Sequence, residues 1–247
     1  MQRVEPGVGR VTARVIPGDP GSTVVLTCEH ASNRLPAPWT WPDCDAWIQD
    51  THWAWDPGAA DATMEIAALL GATAVLATFS RLLVDPNRDP GRADLIRTRA
   101  EGRPLQLNAS LDAATHAQRL LLHAGYHRAV GELVAARPGG LVFSVHSFTP
   151  HLPPDPPRWM ELGVLFDQAT AEAETLALGL SERGWTVGRN EPYSGIGGLM
   201  YAAERHAEAS GGTALELEIR QDICTDPARR AVLVRDVAAA LVPILRG

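Results

Sequence analysis

Lysine is absent from this chain: all 22 basic residues are arginine. That excludes mechanisms built on an amine side chain, Schiff-base chemistry among them. Cysteine is scarce. Cys28, Cys44 and Cys224 lie far apart and form no C-x-x-C pair, so neither a disulfide framework nor a cysteine zinc cluster is expected. No apolar run is long enough to span a bilayer, and the opening MQRVEPGVGRVTARV lacks the apolar core of a signal peptide. The expectation is a soluble, cytoplasmic protein with no membrane partner. An excess of positive charge is missing too. The 29 acidic and 22 basic residues leave a net charge of -7, which argues against nucleic-acid partners. What is present is 247 residues, 45% hydrophobic, enough to bury a full core as one domain spanning residues 1–247.

Two histidines stand out. His30 follows the run Val24-Val25-Leu26-Thr27-Cys28, and His146 follows Leu141-Val142-Phe143-Ser144-Val145. Short β-branched, apolar segments of this kind read as buried parallel strands. In open α/β sheets the chemistry collects beyond the carboxyl ends of the strands. Two imidazoles delivered there from distant parts of the chain suit a catalytic zinc. The alternative is that each is a hydrogen-bonded histidine in a strand-to-loop turn.

The flanking pattern supports an α/β fold. Residues 1–22 are rich in glycine and proline and read as a surface segment before a first strand at 23–28. A helix is expected over 57–70, with Pro57 in its first turn and Gly71 as its stop. A strand at 74–78, a β-like piece at 81–84 and the turn-rich DPNRDPGR come next. A long helix is expected from 111 to 136, capped by Asn108 or Ser110 and ended by Pro138-Gly139-Gly140. Strands at 141–145, 162–166, 185–188 and 213–219, with helices at 168–183 and 227–245, complete the alternation. The fold class is therefore α/β: a mostly parallel or mixed sheet with helices on both faces, a single-domain three-layer αβα arrangement.

Five segments carry the chemistry: CEHASN (28–33), HWAWDPGA (52–59), SRLLVDPNR (80–88), SVHSF (144–148), and NEPYSG with LELEIR (190–195 and 215–220). Their order and content resemble the N-formylglutamate amidohydrolase family, itself related to the zinc carboxypeptidase and aspartoacylase group. The resemblance covers roughly residues 24 to 225. It implies a zinc-carboxypeptidase-like fold, one zinc ion per chain (or iron, cobalt or manganese in its place), and a small acidic N-acyl amino acid as substrate, N-formylglutamate in the family's name.

The resemblance also implies a site. His30 and His146 match the zinc histidines; Ser144 stands where the "DLHS"-like segment of the relatives has an acid, which is expected to weaken a contact orienting the imidazole. Asn33 stands where the carboxypeptidase H-x-x-E pattern has its glutamate, so Asp56 is taken as the third ligand, with Glu29, His52 and Asn33 itself in reserve. Glu29 should point opposite to His30 if the strand continues. In TALELEIR, Glu216 and Glu218 share one face. Glu218 lies nearer the strand end and matches the family's late glutamate, the general acid/base; the rival reading is a salt bridge to Arg220. DPNR resembles "DLNR", which implies that Asn87 and Arg88 bind a substrate carboxylate. Arg81 is expected at that carboxylate or at the developing oxyanion, and Asp85 at an arginine. Asn190, Tyr193 and Arg220 complete the substrate-binding set.

Rival signals are weaker. His116, His123 and His127 share a helix side, but HAGYH lacks the glutamate of an H-E-x-x-H zincin, so a packed or half-exposed face is expected, with His127 approaching the site from below. GIGG is no dinucleotide fingerprint, and SVHSF is no nucleophile elbow. Trp39, Trp41, Trp53 and Trp55 read as core or pocket wall. Two alternatives stay open: a carboxypeptidase-like peptidase, and a small-ligand binding protein that kept the fold. The proline-rich loop 149–157 favours a small, capped pocket over an open cleft.

Overall fold

The structure, a computed structural model, describes residues 12–246. In chain order the elements are β1 (Ala13–Ile16), β2 (Val24–Cys28), α1 (Ala59–Leu70), β3 (Thr73–Ala77), the short pair β4 (Arg99–Ala100) and β5 (Arg103–Pro104), α2 (Ala113–Ala135), β6 (Leu141–Phe148), β7 (Leu162–Leu165), α3 (Thr170–Ser181), β8 (Val187–Arg189), α4 (Tyr201–Ser210), β9 (Thr213–Arg220), α5 (Gln221–Cys224) and α6 (Pro227–Arg246). Seven strands form one mixed sheet in the order β1-β3-β2-β6-β9-β7-β8. Strands β3, β2, β6 and β9 run parallel at its centre; β1 and β7 pair antiparallel with β3 and β9.

Side-chain alternation sorts the two faces. Val24, Leu26, Phe143, Val145, Leu215 and Leu217 pack with residues of α1, α3 and α6. Val25, Val75 and Val142 pack with Leu122, Tyr126 and Val130 of α2 and with Ala203 of α4. The result is the expected three-layer α/β arrangement. On the α2/α4 face, apolar residues give way toward the strand ends to Thr27, Glu29, Ser144, His146, Glu216 and Glu218, all buried. A buried polar group is tolerated only where it finds partners, so this face concentrates the molecule's hydrogen bonding in its interior.

The predicted boundaries fall within a few residues for β2, α1, α2, β7, α3, β9 and α6, and Gly71 ends α1 in a left-handed conformation at φ 59°. Five details differ. Residues 13–16 of the expected surface segment form edge strand β1, while residues 1–11 lie outside the described residues. Strand β6 continues past 145 to Phe148. Residues 81–84 are a buried turn, not a strand: Leu83 N–H donates to Ser80 O, and Arg81 curls back onto Asp85. The cap of α2 is Asp112, accepting from Thr115 N–H, whereas Asn108 is buried and donates to the carbonyls of Leu82 and Arg97. Helix α4 had no counterpart in the sequence reading; it is short and alanine-rich, and buries Ala202, Ala203, His206 and Ala207. No described helix is long and apolar enough to cross a membrane.

Candidate active site

Strand β2 ends at Cys28, and the chain turns at Glu29 and His30. Asp56 follows a loop from elsewhere, pinned by its own N–H donating to His30 O at 2.9 Å. His146 arrives on β6. Three atoms converge: His30 Nδ1 is 3.2 Å and His146 Nδ1 2.8 Å from the same oxygen, Asp56 Oδ2. Among the described residues, His30, Asp56 and His146 are the group whose donor atoms could hold one metal ion, all within 4.8 Å of one another and all buried. Two imidazoles and one carboxylate match a zinc site with an open position. Burial raises the cost of charge on Asp56, yet His30 and His146 hold its carboxyl well below the usual range.

Each imidazole is braced on its far side. His30 Nε2 lies 2.8 Å from Asp85 Oδ1, and His146 Nε2 lies 3.0 Å from Glu29 Oε2. A carboxylate acceptor at Nε2 keeps the hydrogen there and leaves Nδ1 as the lone-pair donor, the arrangement that metal-binding histidines use. Glu29 lies in the turn just past β2 and reaches His146 rather than the donor group. Thr27 pairs with Ser144 across β2 and β6, so the next same-face pair is Glu29 beside His146. Ser144 does not leave the shell empty. Its hydroxyl donates to Glu29 Oε2 at 2.6 Å, and Tyr126 donates to Oε1 at 2.9 Å. Burial opposes ionisation of Glu29, but His146 and Ser144 hold it down at about 2. Asp85 serves both neighbours: its other oxygen takes Arg81 at 2.6 Å and 3.0 Å.

The donor atoms open into a cleft of about 220 Å³ lined by His52, Trp53, Arg81, Asn87, Arg88, Arg97, Ser147, Phe148, Tyr193, Glu216 and Glu218, among others. Glu218 sits opposite His146 in the β6–β9 register. Its Oε2 is buried with no hydrogen-bond partner among the described residues. Burial, reinforced by Glu216 and Asp56 against the pull of His146, pushes its carboxyl up to about 8. No ion pair joins it to Arg220. A buried carboxyl held in reach of neutral pH and facing the cleft suits proton transfer.

Not every expected residue reaches the cleft. Arg220 is tied to Asp222 at 2.7 Å and faces Glu161 at 3.9 Å, outside the lining. Asn190 closes its own loop: at φ 52° its Oδ1 accepts from the N–H groups of Phe166 and Gly195. Asn87 lines the cleft, but its side chain donates to Glu216 at 3.3 Å and accepts from Ala202 N–H at 3.1 Å. Arg88 lines it while its Nε lies 3.4 Å from Asp94. Arg81 lies 3.7 Å from Asp56 and Tyr193 takes a bond from Arg158 at 3.2 Å. Of the reserve ligands, Asn33 is bound to Gln49 O and Asp50, and His52 lines the cleft outside the donor group.

The sequence reading passed over the bracing roles of Glu29 and Asp85, the contact of Glu216 with His146 at 3.6 Å, and Arg97. Only the first had a usable signal, the strand parity. His123 and His127 are packed, as expected. His123 Nε2 meets Arg88 O at 3.0 Å, His127 Nε2 meets Pro86 O at 2.9 Å, and His127 Nδ1 meets His206 Nε2 at 2.9 Å. They back the 86–88 turn from beneath. His116 is exposed and takes no part.

Known proteins share this fold. The chain is similar in structure to gene product Atu2144 from Agrobacterium tumefaciens, at 29% identity and TM-score 0.86, covering 94% of this chain and 96% of that one. It is also similar in fold to the N-formylglutamate amidohydrolase from Ralstonia eutropha JMP134, at 20% identity and TM-score 0.72, covering 96% and 97%. No curated protein matches at a significant level. The model of the N-formylglutamate amidohydrolase family matches residues 22–225, and the chain belongs to that family of hydrolases acting on non-peptide C–N amide bonds.

Proposed function

We propose that this protein is a zinc-dependent amidohydrolase that cleaves the acyl amide of a small N-acyl amino acid, N-formylglutamate or a close analogue. One observation carries the reading: His30 Nδ1, Asp56 Oδ2 and His146 Nδ1 converge within 4.8 Å on the cleft that Glu218 also faces. Zinc bound by these three residues supplies Lewis-acid activation of water and of the amide carbonyl. The protein's own groups do the rest. Glu218 accepts the proton of the attacking water and returns it to the leaving amine. Arg81, fixed by Asp85 beside the donor group, supports negative charge developing on the carbonyl oxygen. Arg88 and Tyr193 orient the amino-acid portion at the cleft wall.

The size and cover of the cleft favour a small substrate over a peptide chain. Arg158 clamps the proline-rich loop to the 190–200 loop, donating to Thr149 O at 3.1 Å and to Tyr193 OH at 3.2 Å. The thiols of Cys28 and Cys224 are buried and free, which suits the reducing cytoplasm assigned from the sequence.

The decisive experiment measures metal content and formate release on N-formyl-L-glutamate for wild type and His30→Ala. About one zinc per chain in wild type, lost with activity in the variant and after chelation, is the expected result. A folded wild-type protein that neither carries nor takes up zinc refutes the mechanism and leaves a binding protein.

A further inference from the structure

We infer that Arg97, laid across the indole of Trp53, is a carboxylate subsite of the cleft that reads a second acidic group on the substrate. This rests on the amidohydrolase reading and assigns a residue to its specificity.

Three arginines face the cleft, and two are already neutralised. Arg81 is bonded twice to Asp85 and lies near Asp56, and Arg88 faces Asp94. Arg97 is different. Among the described residues no carboxylate lies within ion-pair distance of its guanidinium. Its guanidinium rests over the face of Trp53, 5.2 Å from the ring centroid. An indole face orients a cation without cancelling its charge. The electrostatics agree: burial lowers the affinity of Arg97 for its proton and Arg81 and Arg88 add to that, while Asp85 and Asp94 offset only part of it. A half-buried cation beside two others, with no ion-pair partner in contact among the described residues, is relieved by an anion.

The support is rigid. Trp53 Nε1 donates to Glu101 Oε1 at 3.2 Å, and the carbonyl of Arg97 accepts from Asn108 at 2.7 Å. Asn108 is held in turn by the buried Arg119. Both the ring and the backbone that carry the guanidinium are thus fixed before any ligand arrives, which lowers the ordering cost of binding.

Position tells which carboxylate it takes. The scissile amide nitrogen and the α-carboxylate share one carbon, so the α-carboxylate stays near the donor group, where Arg88 and Tyr193 orient the amino-acid portion. Arg97 touches no member of the group. That leaves for Arg97 the group further along the side chain, where the guanidinium fork selects a carboxylate over an amide.

The test compares N-formyl-L-glutamate with N-formyl-L-glutamine in wild type, Arg97→Met and Arg97→Lys. Wild type should favour the acid in KM. Arg97→Met should raise KM for the glutamate form on the order of 10–100-fold, as for a lost charge-assisted hydrogen bond, leave kcat and the glutamine form nearly unchanged, and so erase the preference. Arg97→Lys should recover part of it. A preference that survives Arg97→Met, or an equal loss on both substrates, overturns the assignment. If wild type hydrolyses neither compound, the amidohydrolase reading fails separately, and calorimetric titration with glutarate and butyrate still decides. Tighter glutarate binding that disappears in Arg97→Met upholds the subsite; equal binding by both proteins refutes it.

Discussion

Glu29 and His146 meet at 3.0 Å across neighbouring parallel strands, on the side of the imidazole opposite Asp56. Ser144 lies directly beneath on the same face, with its hydroxyl 2.6 Å from the same carboxylate oxygen. A carboxylate at position 144 would place an oxygen close to where Glu29 Oε2 now lies. The acid that the related motif carries on the histidine's own strand is here supplied by the strand beside it.

That relationship predicts a swap. Glu29→Gln should weaken zinc binding by roughly 10–100-fold, the usual effect of losing such a brace, read by competition with a chromogenic chelator. Adding Ser144→Asp should restore much of the affinity. Zinc affinity unchanged in Glu29→Gln would show that His146 needs no carboxylate behind it.

Glu218→Gln should remove proton transfer while keeping the shape of the cleft. We expect kcat to fall by about 10²–10⁴-fold with zinc stoichiometry intact. A variant within a few-fold of wild type would move the acid/base role elsewhere, with Glu216 as the next carboxylate on that face.

The His127–His206 pair predicts a pH effect on stability. Pro86 O accepts from His127 Nε2, so His127 Nδ1 is left to accept from His206 Nε2. His127 must be neutral for its Nδ1 to accept, and burial disfavours charge on His206 as well. Burial pushes His127 down to about 3 and His206 to about 4, from an ordinary 6.5. Between those values and 6.5 the unfolded chain binds more protons than the folded one, so stability falls as the pH drops through that window. Denaturant titrations of wild type and His206→Gln should show the wild-type advantage at pH 7 shrinking toward pH 4.5. A constant difference would mean that His206 titrates alike in both states.

Gly58 precedes α1 at φ 82°, and a Cβ there would come 2.5 Å from Cys224 O. Gly58→Ala should therefore destabilise the fold by about 1–3 kcal/mol and shift Asp56, two residues earlier. The expected readouts are a lower Tm and weaker zinc binding. An unchanged Tm would show that the Asp56–Gly58 turn relaxes freely.

The sequence by itself carried the strands and helices whose signal is local. Val24–Cys28 and Leu141–Val145 announced buried strands by their β-branched runs, and Gly71 announced a helix end. The run before each histidine and the family resemblance also pointed to His30, Asp56 and His146, whose donor atoms lie within 4.8 Å of one another in the structure. Residues 81–84 misled because a buried apolar run reads the same in a turn as in a strand. Helix α4 escaped because it is only ten residues long and its buried face is made of Ala202, Ala203, His206 and Ala207, with no large apolar residue to mark it.

Only the tertiary structure decided what each polar side chain touches. Asn190 and Arg220 resembled substrate contacts in the chain, yet one closes its own loop and the other pairs with Asp222. Glu29, set aside as pointing away from His30, braces His146, and Arg97, in an unremarked loop, is left with no ion-pair partner in contact among the described residues. The reason is physical. Backbone propensity and burial pattern are properties of a segment, whereas a hydrogen bond or an ion pair depends on a partner as distant in sequence as Asp85 is from His30 or Glu29 from His146, and only the packing of the sheet brings those partners together.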